Sequence, residues 1–118
     1  MKRDMDLVKQ ILLEAEDLDT PKLDLPIEGY DQIVVNEHVY LCTQAGLIEA
    51  TILRDQDGRA AQVITSRLTW QGHEFLQLAR NNALWNKAKS NFKDKAVNFS
   101  FEMLFLYLKQ EAVHLFPK

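Results

Sequence analysis

Residues 31–70, DQIVVNEHVYLCTQAGLIEATILRDQDGRAAQVITSRLTW, constrain the fold more than any other stretch, because they read as helix, glycine stop, strand, tight turn, strand and helix start. Asp31 to Ala45 places Val34, Val35, His38, Val39, Leu41, Cys42 and Ala45 near the 3.6 period of one apolar helix face. Gly46 ends that helix, since glycine adopts the left-handed conformation after a helix at little steric cost. Leu47 to Leu53 and Val63 to Thr69 are then two short strands around Asp55-Gln56-Asp57-Gly58, whose Asp-Gly pair is a hairpin signal. Helix, strand, turn and strand in that order are the back half of a winged helix.

The flanks complete an α+β winged helix, of the winged helix-turn-helix kind. Asp4 is placed to cap a first helix to about Leu18 that buries Leu7, Val8, Ile11, Leu12, Ala15 and Leu18. Residues 19–30 hold two prolines and a glycine and so cannot be regular helix; Leu23, Leu25 and Ile27 alternate as a short edge strand does. The second helix of a helix-turn-helix is therefore shortened to a turn ahead of Asp31. After the hairpin, Thr69 caps a helix from Trp70 to about Arg80 that buries Phe75, Leu76 and Ala79, with Gly72 allowing close approach and Trp70 closing the core beneath the wing. Asn81-Asn82 interrupts it. Leu84, Trp85, Ala88 and Phe92 line one side of the next helix, and Ser100 caps the last, Phe101 to about Leu115. At 118 residues the expectation is one domain, with a winged-helix core at 1–80 and a C-terminal helical extension at 81–118.

The last helix is apolar over too much of its circumference to be covered from one side. Beyond its core face of Phe101, Leu104, Phe105, Leu108, Ala112 and Leu115, it carries Met103, Leu106, Tyr107 and Val113. A homodimer through those four residues is the expected cover.

Charge is unevenly spread. Glu14 to Asp31 holds seven carboxylates against Lys22, a net −6, whereas Arg80 to Lys95 holds five cations (Arg80, Lys87, Lys89, Lys93, Lys95) against Asp94, a net +4. The single cysteine excludes an intrachain disulfide and suits a reducing compartment. The N-terminus runs straight into an amphipathic helix without a secretory apolar core, and the longest apolar runs fall far short of a membrane span, so the expectation is a cytoplasmic protein with no membrane partner.

Three blocks, MKRDMDLVKQILLE, HVYLCTQAGLIEA and RLTWQGHEFLQLARNNALWNKAK, resemble a small group of uncharacterised bacterial and prophage proteins, the domain-of-unknown-function family 2513. The resemblance spans nearly the whole chain and implies a winged-helix-like fold and an association with mobile elements, with no assigned activity. HVYLCTQAGLIEA is also similar to the His-Leu-x-x-Leu-x-x-Ala-Gly-Leu-Ile pattern of winged-helix transcription regulators, and RLTWQGHEFL to the segment after their second wing strand.

Two functions follow as expectations. In the first, a DNA-binding regulator, the helix from Asp31 to Ala45 enters the major groove of double-stranded DNA. Gln32, Asn36, Tyr40 and Gln44 then contact bases or backbone, and Arg54, Arg59 and Arg67 lie along phosphates. Against it, that helix has no lysine or arginine, and Asp31 and Glu37 bring it to −2. The alternative is a protein–protein interaction module without DNA binding. Catalysis is not expected. His38 and Cys42 share a helix face but sit in the apolar stripe, two ligands do not make a zinc site, and no glycine-rich phosphate loop or Gly-x-Ser-x-Gly is present. No cofactor or metal is implied.

Overall fold

The computed structural model describes residues 2–93 and 100–115, and within these the element order is α1 (Met5–Glu16), β1 (Lys22–Leu23), α2 (Gln32–Gln44), β2 (Ile48–Arg54), β3 (Ala60–Leu68), α3 (Trp70–Ala79), α4 (Asn82–Lys93) and α5 (Phe101–Leu115). Lys95 lies outside the described residues, as do the side chains of Phe92, Lys93 and Leu115. The chain divides into two compact units, Met1–His73 and Glu74–Lys118, so the division falls inside α3.

In the N-terminal unit, β1, β3 and β2 form one antiparallel sheet in the order β1-β3-β2. That order, with α1 before the sheet and α2 between β1 and β2, is a winged-helix-like α+β arrangement. Where a second helix would stand there is only a turn at residues 28–30. Local chemistry sets the element ends. The Asp4 carboxylate accepts from the Leu7 N–H at the start of α1. At the end of α2, Gly46 sits at φ 75° and the Leu47 N–H reaches back to the Cys42 carbonyl, which satisfies a helix-terminal acceptor. In the wing, Asp55 Oδ1 accepts from the N–H groups of Asp57 and Arg59 while Gly58 supplies φ 80°. Leu7, Ile11 and Leu12 of α1, Val35, Val39 and Cys42 of α2, and Leu47, Ile48, Val63 and Leu68 around the sheet are all buried as its core. Gly72 is obligatory here, because a Cβ would lie 2.1 Å from the Leu47 carbonyl oxygen.

In the C-terminal unit, Asn81 Oδ1 caps α4 at the Leu84 N–H and Ser100 Oγ caps α5 at the Met103 N–H. Phe75 anchors an aromatic cluster, edge-on to Trp85 at 6.1 Å and to Phe105 at 5.6 Å and tilted against Phe101 at 5.0 Å between ring centroids. Such pairs contribute about 0.5–1.5 kcal/mol each beyond their area burial. Leu76, Ala79, Leu84, Ala88, Leu104 and Leu108 fill the space around them.

Trp70 corrects the expectation that it closes the core: it is 82% exposed. The polar N-terminal turn of α3 is held instead by Thr69, whose hydroxyl donates to the Gly46 carbonyl and accepts from the Gly72 N–H. The indole is left in solvent.

Candidate functional site

The helix the sequence singles out, α2, does pack on the sheet, but its amide edge is turned into the protein. Its buried arc is Val35, Asn36, His38, Val39 and Cys42, at the spacing of one helix face that takes in Asn36 along with the valines. Asn36 is 1% exposed. Its amide nitrogen donates to Asp24 Oδ1 (3.1 Å) and to the Ala61 carbonyl (3.3 Å), and its oxygen accepts from Gln32 Nε2 (3.0 Å). Gln32 Nε2 also donates to the Leu25 carbonyl at 3.0 Å. The expectation that Asn36 offers its amide outward is thus corrected, since a buried amide must find partners inside; Gln32 stays exposed, but its Nε2 is turned to the same network, and the two bind the 24–31 loop to α2 and β3.

Asp24 is the hub of this network and carries no signal in the sequence. It adopts φ 48°, a left-handed conformation that asparagine and aspartate tolerate better than most residues, its N–H donates to the Val63 carbonyl (2.7 Å), and its carboxylate accepts from the Val63 N–H (3.0 Å). Glu37 adds a second tie, with Oε1 accepting from the Ala60 N–H at 2.9 Å. The polar residues on one flank of α2 therefore do the work of a missing helix, holding an irregular loop in place.

His38 is committed in the same way. Its Nδ1 lies 2.8 Å from the Val34 carbonyl, and its Nε2 accepts from the Asp4 N–H at 2.9 Å, so the ring holds the start of α1 against α2. Cys42, four residues on, is buried, and desolvation pushes its thiol up to about 12. A thiol held protonated so far above neutrality is a packing group. Among the described residues no cluster of three or more His, Cys, Asp or Glu is placed to hold a metal ion.

The outward stripe of α2 is Ile33, Tyr40 and Gln44, with Leu41 half-buried beside them. Here the structure does gather three of the seven expected DNA contacts. Gln44 Nε2 donates to the Tyr40 hydroxyl at 3.0 Å, and the Arg54 guanidinium stacks 4.4 Å from the Tyr40 ring centroid while donating to the Gly58 carbonyl. Arg59 and Arg67 are each matched by acids. Arg59 pairs with Asp57 at 3.1 Å and Asp55 at 4.0 Å, and Arg67 with Glu49 at 2.7 Å. Exposed carboxylates at Glu14, Glu16, Asp17, Asp19, Glu28 and Asp31 add to the negative side of the unit.

On α5, the residues expected at a dimer interface divide. Met103, Leu106 and Val113 are 50%, 56% and 69% exposed, whereas Tyr107 is half-buried. Phe101, Leu104, Phe105 and Leu108 take the opposite, inward side. No helix among the described residues is long and apolar enough to cross a membrane.

Fold and site together define an α+β, winged-helix-like protein whose central helix commits the Asn36 amide and the Gln32 Nε2 to internal contacts. Residues 2–98 match the family model described as "Hypothetical protein (DUF2513)", and the chain belongs to that family. An uncharacterized protein of Haemophilus influenzae is 36% identical over 107 residues, covering 88% of this chain and 89% of that protein. No solved structure matches the chain.

Proposed function

We propose that this is a cytoplasmic, non-enzymatic protein-interaction module rather than a reader of DNA sequence. One observation carries the reading: Asn36, the residue best suited to read adenine, is buried and fully hydrogen-bonded within its own unit. What α2 offers outward instead is a mixed stripe of aliphatic, phenol and amide groups, Ile33, Tyr40 and Gln44, with Arg54 stacked on the phenol. Aromatic and arginine side chains on a surface of little net positive charge suit a protein partner better than a phosphate backbone. The exposed carboxylates of residues 14–31 favour a partner that carries cations. A prophage or mobile-element setting and self-association through α5 belong to the same proposal.

The test is a gel-shift titration with random-sequence duplex at low ionic strength. The expected result is no retardation; binding that weakens steeply with added salt would overturn the proposal in favour of a DNA-binding regulator, whose phosphate contacts release counterions.

A further inference from the structure

The exposed residues of α5 form an ordered pattern. Met103, Leu106, Gln110 and Val113 recur at intervals of three, four and three residues, the spacing of the contact seam in a coiled coil, and all four are exposed. This seam lies on the side of α5 opposite Leu104, Phe105 and Leu108, which are buried in the C-terminal unit. Along one edge of the seam stand two exposed, oppositely charged residues, Glu102 and Lys109, seven apart and so stacked on the same side of the helix. In the single chain the Lys109 Nζ lies 4.0 Å from the Phe105 ring centroid, on the flank away from the seam, and pairing with a second copy requires it to swing to the seam edge.

The geometry points to a second copy of this chain as the occupant of the α5 seam, packed antiparallel about a two-fold axis with Met103 of each copy against Leu106 of the other. The charges select the copy and the register. In antiparallel helices, residues on one edge of a seam meet the same edge of the partner. Pairing Met103 with Leu106 of the second copy brings Glu102 within two residues, about 3 Å of axial rise, of Lys109 on the same edge of that copy, and the two-fold axis repeats the contact. Moving the partner one heptad further along would instead set Lys109 against Lys109. A parallel pair would leave Glu102 opposite the uncharged Tyr107. The inference rests on the reading of this molecule as a protein-binding one that self-associates through α5, and it adds the seam, the antiparallel orientation and the register.

Sedimentation velocity over a wide concentration series tests it, with four variants. Wild type is expected to pass from monomer to dimer, and Leu106→Glu, at an exposed position that folding does not need, to weaken the dimer at least about ten-fold. Glu102→Lys and Lys109→Glu are each expected to weaken it, and the double variant E102K/K109E to restore it. A wild type that stays monomeric throughout, or an unchanged Leu106→Glu dimer, would overturn the proposal, leaving the seam to another part of the chain or to a foreign protein. Failure of the double variant to restore association would overturn the antiparallel register. A positive gel shift would sink the reading of α2 while leaving these results unchanged, so the two failures are separable.

Discussion

Helices α2 and α5 invert each other. In α2, polar side chains at Gln32, Asn36 and Glu37 face the loop and the strands of its own unit, and Ile33 is left outside. In α5, Met103, Leu106 and Val113 are outside although the helix has a complete apolar face already buried against Phe75 and its neighbours. The difference teaches that polarity along a helix does not by itself say which side meets solvent. What decides is the hydrogen-bonding demand of the adjoining backbone. The irregular 24–31 loop and the ends of β3 leave N–H and C=O groups that no strand or helix satisfies, and α2 has the side chains to meet them. In α5 the surplus of aliphatic residues is left exposed.

The sharpest way to break this comparison is to cut the network on α2. Asn36→Ala removes partners from the Asp24 carboxylate, the Ala61 carbonyl and the Gln32 amide together, and denaturant unfolding is expected to show a loss of about 2–4 kcal/mol. Leu106→Glu, measured at a dilution where the protein is monomeric, is expected to change stability by no more than about 0.5 kcal/mol. Equal effects from the two would show that Asn36 does not tie the loop to α2 and β3.

A smaller effect of opposite sign is expected at Thr65 on β3. Its hydroxyl is fully buried without a hydrogen-bond partner, so Thr65→Val replaces a desolvated polar atom by a methyl of the same shape. Unfolding should show a gain of about 1 kcal/mol, and a loss would mean that the hydroxyl is satisfied in solution.

The smallest effect belongs to the C-terminal unit, where Lys87 Nζ lies 2.6 Å from Glu111 Oε2. That hydrogen bond, with the attraction of the two charges, holds the Glu111 carboxyl below its ordinary value of 4.5 and raises Lys87 above its ordinary 10.5. The carboxylate's contribution is present above its ordinary value and lost as pH falls through its lowered one. The ammonium's contribution is present below its ordinary value and lost as pH rises through its raised one. Lys87 is well exposed, so solvent screening keeps the effect small. The melting difference between wild type and Lys87→Ala should be constant across neutral pH and shrink at both extremes; a difference that persists in acid would assign it to lost packing.

Much of the fold was legible in the sequence. The helix–glycine–strand–turn–strand order, the caps at Asp4, Thr69 and Ser100, and the close approach at Gly72 are each produced by chemistry local to a few residues. The two-residue β1 and the turn in place of a second helix follow from prolines and a glycine that no helix accommodates. The site was less legible. Tyr40, Gln44 and Arg54 came together because helix spacing and the length of the wing place them there, but Gln32 and Asn36 went the other way.

Local sequence therefore determined where the elements of this chain begin and end and which side of each helix carries its aliphatic residues. Tertiary structure alone decided that Asp24 turns left-handed to receive Asn36, that Trp70 points into solvent, and that each wing and strand arginine finds an acid, a carbonyl or a ring. The physical reason is distance along the chain. A cap joins groups three residues apart, whereas the Asp24–Asn36 and Asn36–Ala61 bonds join groups 12 and 25 residues apart, so their pairing exists only once the sheet and α2 have met.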